Sequence, residues 1–166
     1  MLYLFLTTAL AVAAPEGESG EAAFVNKHRC VISQVLNLVR DAPSPPGTEQ
    51  NRYVILYPTG TTDQYAQCAY DGPRAAYCEV ASPFYQPKGA KAARLPALAR
   101  LGYDLDATKG NYVKQFKLDA EEAPPLADFL LRSLYAAFLD SPAVRLSFKA
   151  PLVKASPSPN ACLPTS

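Results

Sequence analysis

The segment QYAQCAYDGPRAAYCEVAS at residues 64–82 decides the fold, because it combines two runs of strand-forming residues with a tight turn. The turn lies at residues 71–74, where aspartate, glycine and proline cluster. With Pro73 at the centre, Cys68 falls directly opposite Cys78, close enough for a disulfide across the two strands. The segment therefore predicts a β-hairpin closed by a Cys68–Cys78 disulfide.

The remaining cysteines, Cys30 and Cys162, are expected to pair with each other, because an even number of cysteines in an oxidising compartment usually forms disulfides. This is one of the three pairings that four cysteines allow, and it would close a long loop and so stabilise the fold. A zinc site is the rival interpretation. The spacings are wide, however, no C-x-x-C pair occurs and the chain has 1 histidine. We therefore expect no metal and no cofactor.

Residues 1–13 are apolar and uncharged and end in small side chains, which is the pattern of a cleavable signal peptide. Cleavage after Ala13 fits the small residues Ala11 and Ala13. A membrane anchor is less favoured, because about 20 apolar residues are needed to span a bilayer. The sequence predicts a secreted or periplasmic protein with no stable membrane insertion after cleavage.

The chain has 166 residues, of which 49% are hydrophobic and 19% charged, and this composition fits one globular domain. We assign an acidic lead to residues 14–20, the domain to residues 21–149, and a proline-rich tail, tethered by Cys162, to residues 150–166. The formal net charge of +1 argues against strong general attraction to nucleic acid or to membranes.

Hydrophobic periodicity predicts helices and strands that alternate along the domain. Helices are expected at residues 21–40, at 88–101 with an interruption at Pro96, and at 124–139. Strands are expected at residues 52–57, in the hairpin, at 112–118 and, as a short C-terminal edge strand, at 144–149. The predicted fold class is therefore α+β, an antiparallel β-meander sheet flanked by helices in the order α-β-β-β-α-β-α, with the short C-terminal strand last.

The apolar residues of the first and last helices recur at three- and four-residue steps and are expected to face the core. In the first helix they are Phe24, His28, Val31, Val35 and Leu38, widened by Val25, Ile32, Leu36 and Val39. In the last helix they are Ala127, Leu130, Leu134 and Phe138. On the outside of the last helix, Asp128 and Arg132 are spaced for an ion pair.

Residues that could carry catalysis do not combine into a site. His28 and Cys30 are two positions apart on a helix, so their side chains diverge. Residues 104–108 invite comparison with a calcium loop, but Gln115 stands where the loop needs a bidentate carboxylate. Glu79 has no second titrating group placed near it by the sequence. We predict a protein without enzymatic activity.

The 10 tyrosines of the chain, several of them on predicted strands, can build a contact surface with apolar rings and polar tips. The alternative is that half of them simply cover the sheet. Residues 88–117 carry 7 basic side chains against 2 acidic ones, an asymmetry able to steer an acidic partner. The candidate partner-binding residues are Tyr53, Tyr65, Tyr77, Glu79, Phe84 and Tyr85.

From residue 52 to about residue 138 the chain resembles the type III secretion chaperone-like superfamily, which includes YbjN-type and TY-Chap domains. The similarity rests on RYV at residues 52–54, YCEVAS at 77–82, LGY at 101–103, NY at 111–112 and LA at 126–127. It implies an α+β fold with a helix-flanked antiparallel sheet and a partner-binding role without catalysis. Those domains are mostly cytoplasmic, whereas this chain carries the marks of export.

Together these features predict an exported module that binds a protein partner of unknown identity through its sheet face, and they leave a homodimer open. Two alternatives come from other classes. One is an envelope structural or adaptor protein that docks through its proline-rich tail. The other, less favoured, is a small hydrolase with a site assembled from Glu79, Asp104 and tyrosines.

Overall fold

The computed structural model describes residues 19–43, 46–47, 51–72, 74–118, 125–154 and 162. The predicted leader at 1–13, residues 14–18 of the acidic lead, the expected turn centre Pro73 and most of the proline-rich tail lie outside these ranges. Within the described ranges, no helix is long and apolar enough to cross a membrane.

Five antiparallel strands form one sheet in the order β4-β3-β2-β1-β5. Their bounds are β1 Tyr53–Pro58, β2 Ala66–Tyr70, β3 Ala75–Val80, β4 Tyr112–Lys117 and β5 Leu146–Lys149. Strands β1 to β4 are neighbours in sequence order, and β5 pairs with the other edge of β1. The predicted α+β meander and its short C-terminal edge strand are confirmed.

The hairpin of β2 and β3 has the register that the turn signal predicts, with Cys68 directly opposite Cys78. The two cysteines form a disulfide, and both are fully buried. Their neighbours alternate between the core and the other side of the sheet, as the two-residue period of a strand requires. The hairpin therefore gives the core a covalent cross-link at its centre.

Three α-helices accompany the sheet in the described part of the chain: α1 Gly20–Asp41, α2 Leu95–Arg100 and α3 Leu126–Phe138. The Ser19 side chain caps α1 by accepting a hydrogen bond from the backbone N–H of Ala22 at 3.2 Å. Helices α1 and α3 pack against each other and against the buried face of the sheet, and the core lies between these two layers.

Two ion pairs connect α1 and α3. In one the arginine comes from α1, and in the other it comes from α3. Asp128 accepts hydrogen bonds at 2.6 and 2.8 Å from the Arg29 guanidinium of α1, and Arg132 lies 3.7 Å from Glu21. The expected pair between Asp128 and Arg132 within α3 was therefore wrong. Because α1 runs alongside α3, each of these charges has a partner across the helix interface that spacing within one helix cannot reveal.

The side of α1 that faces the core differs from the predicted side by a rotation about the helix axis. Phe24, Ile32 and Val35 are at most 1% exposed, but Leu38 is 46% exposed and Val31 is only half-buried. Apolar residues cover so much of α1 that more than one of its sides could face the core. Packing against α3 and the sheet decides which side is buried.

The predicted helix at 88–101 is much shorter in the structure. A 3₁₀ turn at Ala92–Arg94 precedes α2, and Pro96 lies in the first turn of α2, where proline is tolerated, instead of interrupting a longer helix. The helix ends at Arg100, and Gly102, whose φ of 81° suits glycine, follows its C-cap Leu101 as the sequence predicted.

The second disulfide joins Cys30 on α1 to Cys162 in the proline-rich tail. It differs from the first in its surroundings, because Cys30 lies on the solvent side of α1 and the Gln34 amide nitrogen is 3.0 Å from the Cys162 sulfur. Both pairings agree with those expected from the sequence. Two disulfides indicate an oxidising, extracytoplasmic environment.

Candidate functional site

The sheet face opposite α1 and α3 carries a surface of tyrosines and polar side chains, which we call the open face. Strand alternation and register place its members on one side, and each is half-buried or exposed, in contrast to the buried residues on the helix side. The open face consists of Tyr53, Ile55, Tyr57, Gln67, Ala69, Ala75, Tyr77, Glu79, Val113, Gln115, Lys117, Ser147 and Lys149.

The register arranges the aromatic residues around the central strand β2. Tyr53 on β1 and Tyr77 on β3 flank Ala69, which is opposite both of them. One step along the sheet, Ile55 and Glu79 flank Gln67 in the same way. Ala69 is thus a small residue between two tyrosines, whereas the next position on β2 carries the longer Gln67.

A hydrogen-bond network converges on the Glu79 carboxylate in β3. Its Oε1 accepts from the Gln67 amide at 2.7 Å and from the Asn111 amide at 3.0 Å, and its Oε2 accepts from the Tyr77 hydroxyl at 3.2 Å. A carboxylate that accepts three hydrogen bonds has much of its capacity satisfied. Glu79 therefore fixes the side chains around it in place.

Asn111, which precedes β4, is itself held in one orientation. Its Oδ1 accepts from the backbone N–H of Ser82 at 3.1 Å, so that its amide nitrogen faces Glu79 and also donates to the Tyr65 hydroxyl at 2.8 Å. Ser82 is fully buried and donates its own hydroxyl to the Gly110 carbonyl. This chain of contacts joins the loop after β3 to the start of β4.

The two tyrosines of the network are neutral phenols at physiological pH. Burial, followed by the nearby Glu79 charge and its hydrogen bond, raises the pKa of Tyr77 from 10.0 to about 12. Burial also raises the pKa of Tyr65, although its hydrogen bond with Asn111 opposes the shift. Both groups therefore offer an apolar ring with a protonated hydroxyl.

Phe84 and Tyr85 lie in the loop that follows β3 and extend the aromatic surface past Asn111. They are 57% and 61% exposed, and their rings meet edge to face with centroids 4.8 Å apart. The Tyr85 ring rests against Gly110, where a Cβ would come within 2.8 Å of a ring carbon. A glycine at this position therefore allows Tyr85 to sit next to the network.

The structure brings most of the predicted contact residues together. Tyr65, Tyr77 and Glu79 share one network, Phe84 and Tyr85 adjoin it, and Tyr53 lies across Ala69 from Tyr77. Gln67 and Asn111 were missed. The hairpin register predicts that Gln67 is opposite Glu79, but the position of Asn111 depends on how β4 pairs with β3, which no local signal specifies.

The acidic residues considered for metal or acid chemistry belong to separate groups. The Lys109 ammonium lies 3.8 Å from the Asp104 carboxylate and 3.0 Å from that of Asp106, so it occupies the position a cation would take between them. Among the described residues, no group of three or more histidine, cysteine, aspartate or glutamate side chains could hold a metal ion. Cys30 is bonded to Cys162 and offers no thiol beside His28.

Comparisons of the chain with protein-family models, with curated proteins and with solved structures find no match. The fold and the candidate site therefore define the class of molecule: an α+β domain with two disulfides and one tyrosine-rich open face. Its function has to be inferred from that face.

Proposed function

We propose that the protein is an exported module without enzymatic activity that binds a protein partner through the open face. The observation that carries this proposal is the open face itself, where tyrosines surround a hydrogen-bonded glutamate on the side of the sheet opposite α1 and α3. The resemblance to type III secretion chaperone-like domains points to the same kind of function, which is partner binding without turnover.

Tyrosine suits such a surface for two physical reasons. Its ring supplies a large contact area with few rotatable bonds, so that ordering it on binding costs little entropy, and its hydroxyl can bond to polar groups of a partner. Tyr65 and Tyr77 are already held by Asn111 and Glu79. A surface ordered before binding retains more of its interaction energy as affinity.

Export is the second part of the proposal. The two disulfides need an oxidising compartment to persist, and the apolar stretch at residues 1–13 fits a signal peptide that directs the chain there. We propose a secreted or periplasmic location, with the mature chain beginning at Ala14.

An adaptor role through the proline-rich tail is the second candidate, and the disulfide favours it because it attaches residue 162 of the tail to α1. Truncation after Ala150 combined with Cys30→Ser separates the two candidates. Binding that survives truncation supports the open face, whereas binding lost from a folded truncated protein supports the tail. The hydrolase alternative ranks last, because Glu79 and Asp104 are engaged in separate networks.

Photo-crosslinking from the open face tests the main proposal. Replacing Tyr53 with benzoyl-phenylalanine keeps an aromatic ring on the face, and the same residue at Leu38, exposed on α1, is the matched control. We expect irradiation in the envelope fraction to give a discrete product from position 53 and none from position 38.

The identity of that product decides between kinds of partner. A second protein in the product supports a heterologous partner, and a product of twice the chain mass indicates a homodimer through the same face. Equal products from both positions, or none from position 53 in the folded and oxidised protein, would refute the proposal.

A further inference from the structure

We infer that the open face binds an arginine side chain of its protein partner, with the guanidinium held at Glu79. The inference rests on the proposed function and adds the chemistry of the partner residue. Three features carry it: hydrogen-bond acceptors left over around Glu79, the charges near this carboxylate, and exposed aromatic rings beside it.

The groups around Glu79 leave acceptors that no described residue uses. An ionised carboxylate has about four lone pairs. Glu79 Oε1 accepts two hydrogen bonds and Oε2 accepts one, from Tyr77, so that one lone pair of Oε2 remains. The Gln67 amide donates its nitrogen to Glu79, and its carbonyl oxygen has no donor among the described residues. A ligand that satisfies this place must therefore bring several hydrogen-bond donors.

Three tyrosine hydroxyls adjoin the same carboxylate. Burial is the largest cause of the raised pKa of Tyr65, and the charges of Glu79 and Tyr85 also act on it. Burial likewise comes first for the pKa of Tyr77, followed by Glu79 and then Tyr65. The four side chains are therefore neighbours, and the phenol oxygens add further acceptors to those of the carboxylate.

Glu79 is in no ion pair among the described residues. The lysines of the open face are far from it: Lys149 on β5 is three strands from β3, about 14 Å between backbones. Lys117 is four positions along β4 from Val113, which is opposite Glu79, and this separation is about 13 Å. Side chains that stand next to each other at such spacings on a sheet do not form an ion pair.

The charges in the surrounding loops do not change this balance. Lys88 is 3.6 Å from the Asp63 carboxylate, and Lys109 is 3.0 Å from that of Asp106, so both are already engaged. Asp71, exposed next to the end of β2, contributes a second carboxylate to this part of the molecule. A cationic group of a partner is therefore the complementary one at Glu79.

Exposed aromatic rings favour arginine over lysine as that cation. Phe84 and Tyr85 are 57% and 61% exposed, and the Tyr85 ring rests against Gly110, next to the Asn111 amide that donates to Glu79. A guanidinium is planar, stacks on aromatic rings and donates several hydrogen bonds at once, whereas a lysine ammonium is a strongly hydrated point charge. An arginine thus uses the acceptors and the rings together.

The test titrates the oxidised full-length protein, labelled with nitrogen-15, with N-acetyl-arginine amide, and follows the side-chain amide signals of Gln67 and Asn111 by NMR. N-acetyl-citrulline amide, which has the same shape without the charge, is the ligand control. The test variant is Glu79→Gln. Its matched control, Asp71→Asn, also removes one carboxylate, at an exposed position outside the network.

We expect the arginine amide to shift both side-chain signals with a dissociation constant on the order of 1–10 mM, as suits a single side chain. The affinity should be about tenfold lower for the citrulline amide and for Glu79→Gln, and should change less than about twofold in Asp71→Asn. Added salt should weaken the binding, because one charge of the pair is exposed until the ligand binds.

The absence of these shifts at about 50 mM arginine amide would overturn the inference. Equal binding of the citrulline amide, or equal effects of the two carboxylate variants, would do the same. Shifts produced by calcium chloride and not by the arginine amide would assign the site to a metal ion instead.

A second variant covers the case in which Glu79→Gln does not fold. Tyr85→Leu changes an exposed ring outside the core and should lower the affinity for the arginine amide about threefold. An unchanged affinity in Tyr85→Leu would contradict the stacking and with it the choice of arginine.

Crosslinking from position 53 separates this inference from the proposed function. A partner that crosslinks equally to the native protein and to Glu79→Gln leaves the binding function intact and removes the arginine. The absence of any partner product in both proteins counts against the binding function itself.

Discussion

Asn111 donates its side-chain amide to the Glu79 carboxylate at 3.0 Å, and this contact joins the residue before β4 to the end of β3. The opposite end of the same amide accepts from the backbone of Ser82. One side chain thus orders the open face and satisfies a buried backbone group.

Replacing Asn111 with alanine should therefore lower the stability of the protein and also loosen the side chains of the open face. The Ser82 N–H would lose its partner and Glu79 one of its donors, a loss of about 1–3 kcal/mol in the free energy of unfolding. Urea denaturation followed by circular dichroism measures it. Gln115→Ala, an exposed change on the adjoining strand β4, should shift stability by less than about 0.5 kcal/mol. Equal effects of the two variants would show that the amide contact contributes little.

Tyr77 should make the stability of the protein depend on alkaline pH. Because its folded-state pKa is raised from 10.0 to about 12, the neutral phenol is favoured in the folded state. The contribution of this phenol to the free energy of unfolding is fully present below pH 10 and is lost as the pH rises toward 12. Chemical denaturation across this range should show a smaller decline in Tyr77→Phe than in the native protein.

Burial and Glu79 both contribute to the raised pKa of Tyr77, and a second variant separates these contributions. Glu79→Gln removes the neighbouring charge, so the pKa of Tyr77 should fall, but it should stay above 10.0 because burial is the largest cause. Ultraviolet difference titration against a Glu79→Gln/Tyr77→Phe double variant isolates this phenol. A pKa of Tyr77 that is unchanged by Glu79→Gln would contradict the assigned contact.

Ser133 on α3 forms a hydrogen bond with Tyr103, which lies shortly after the end of α2. Its hydroxyl accepts from Tyr103 at 2.8 Å and donates to the Phe129 carbonyl at 2.7 Å, and both Tyr103 and Ser133 are buried. Ser133→Ala leaves the Tyr103 hydroxyl buried without a partner and should cost about 1–3 kcal/mol. Tyr103→Phe leaves no donor unpaired and should cost less. Thermal unfolding of the two variants compares them, and the reverse order would contradict this account.

The two disulfides should differ in how readily they are reduced. Cys30 lies at the surface, whereas Cys68 and Cys78 are fully buried, so a thiolate reductant reaches the first bond and not the second in the folded state. Brief treatment with dithiothreitol and alkylation should label Cys30 and Cys162 first, as read by mass spectrometry. Simultaneous labelling of all four cysteines without denaturant would be inconsistent with the buried position of the hairpin bond.

The hairpin could be predicted in detail because its signals agree. Turn residues at 71–74 specify where the chain reverses, and the two cysteines specify the register. The two strands, and the side of the sheet on which each residue lies, can be predicted from these signals. The short strand β5 also followed from simple alternation. In these places local sequence and tertiary pairing demand the same conformation.

The remaining features depend on contacts between distant parts of the chain. The ion pairs of Asp128 and Arg132 require α1 beside α3. The same packing leaves the Leu38 side chain exposed to solvent. The reduction of α2 to six residues shows that an apolar period does not distinguish a helix from a 3₁₀ turn leading into one. At the candidate site, tyrosines on strands were visible in the sequence, but the position of Asn111 was not.

The Cys30–Cys162 bond has a mechanical consequence. Every strand of the sheet lies within the 132-residue separation that this bond closes. Tension applied before residue 30 and after residue 162 would pass from one sulfur to the other and bypass all five strands. The sheet and its open face would stay unstretched under such a load until that one bond is reduced.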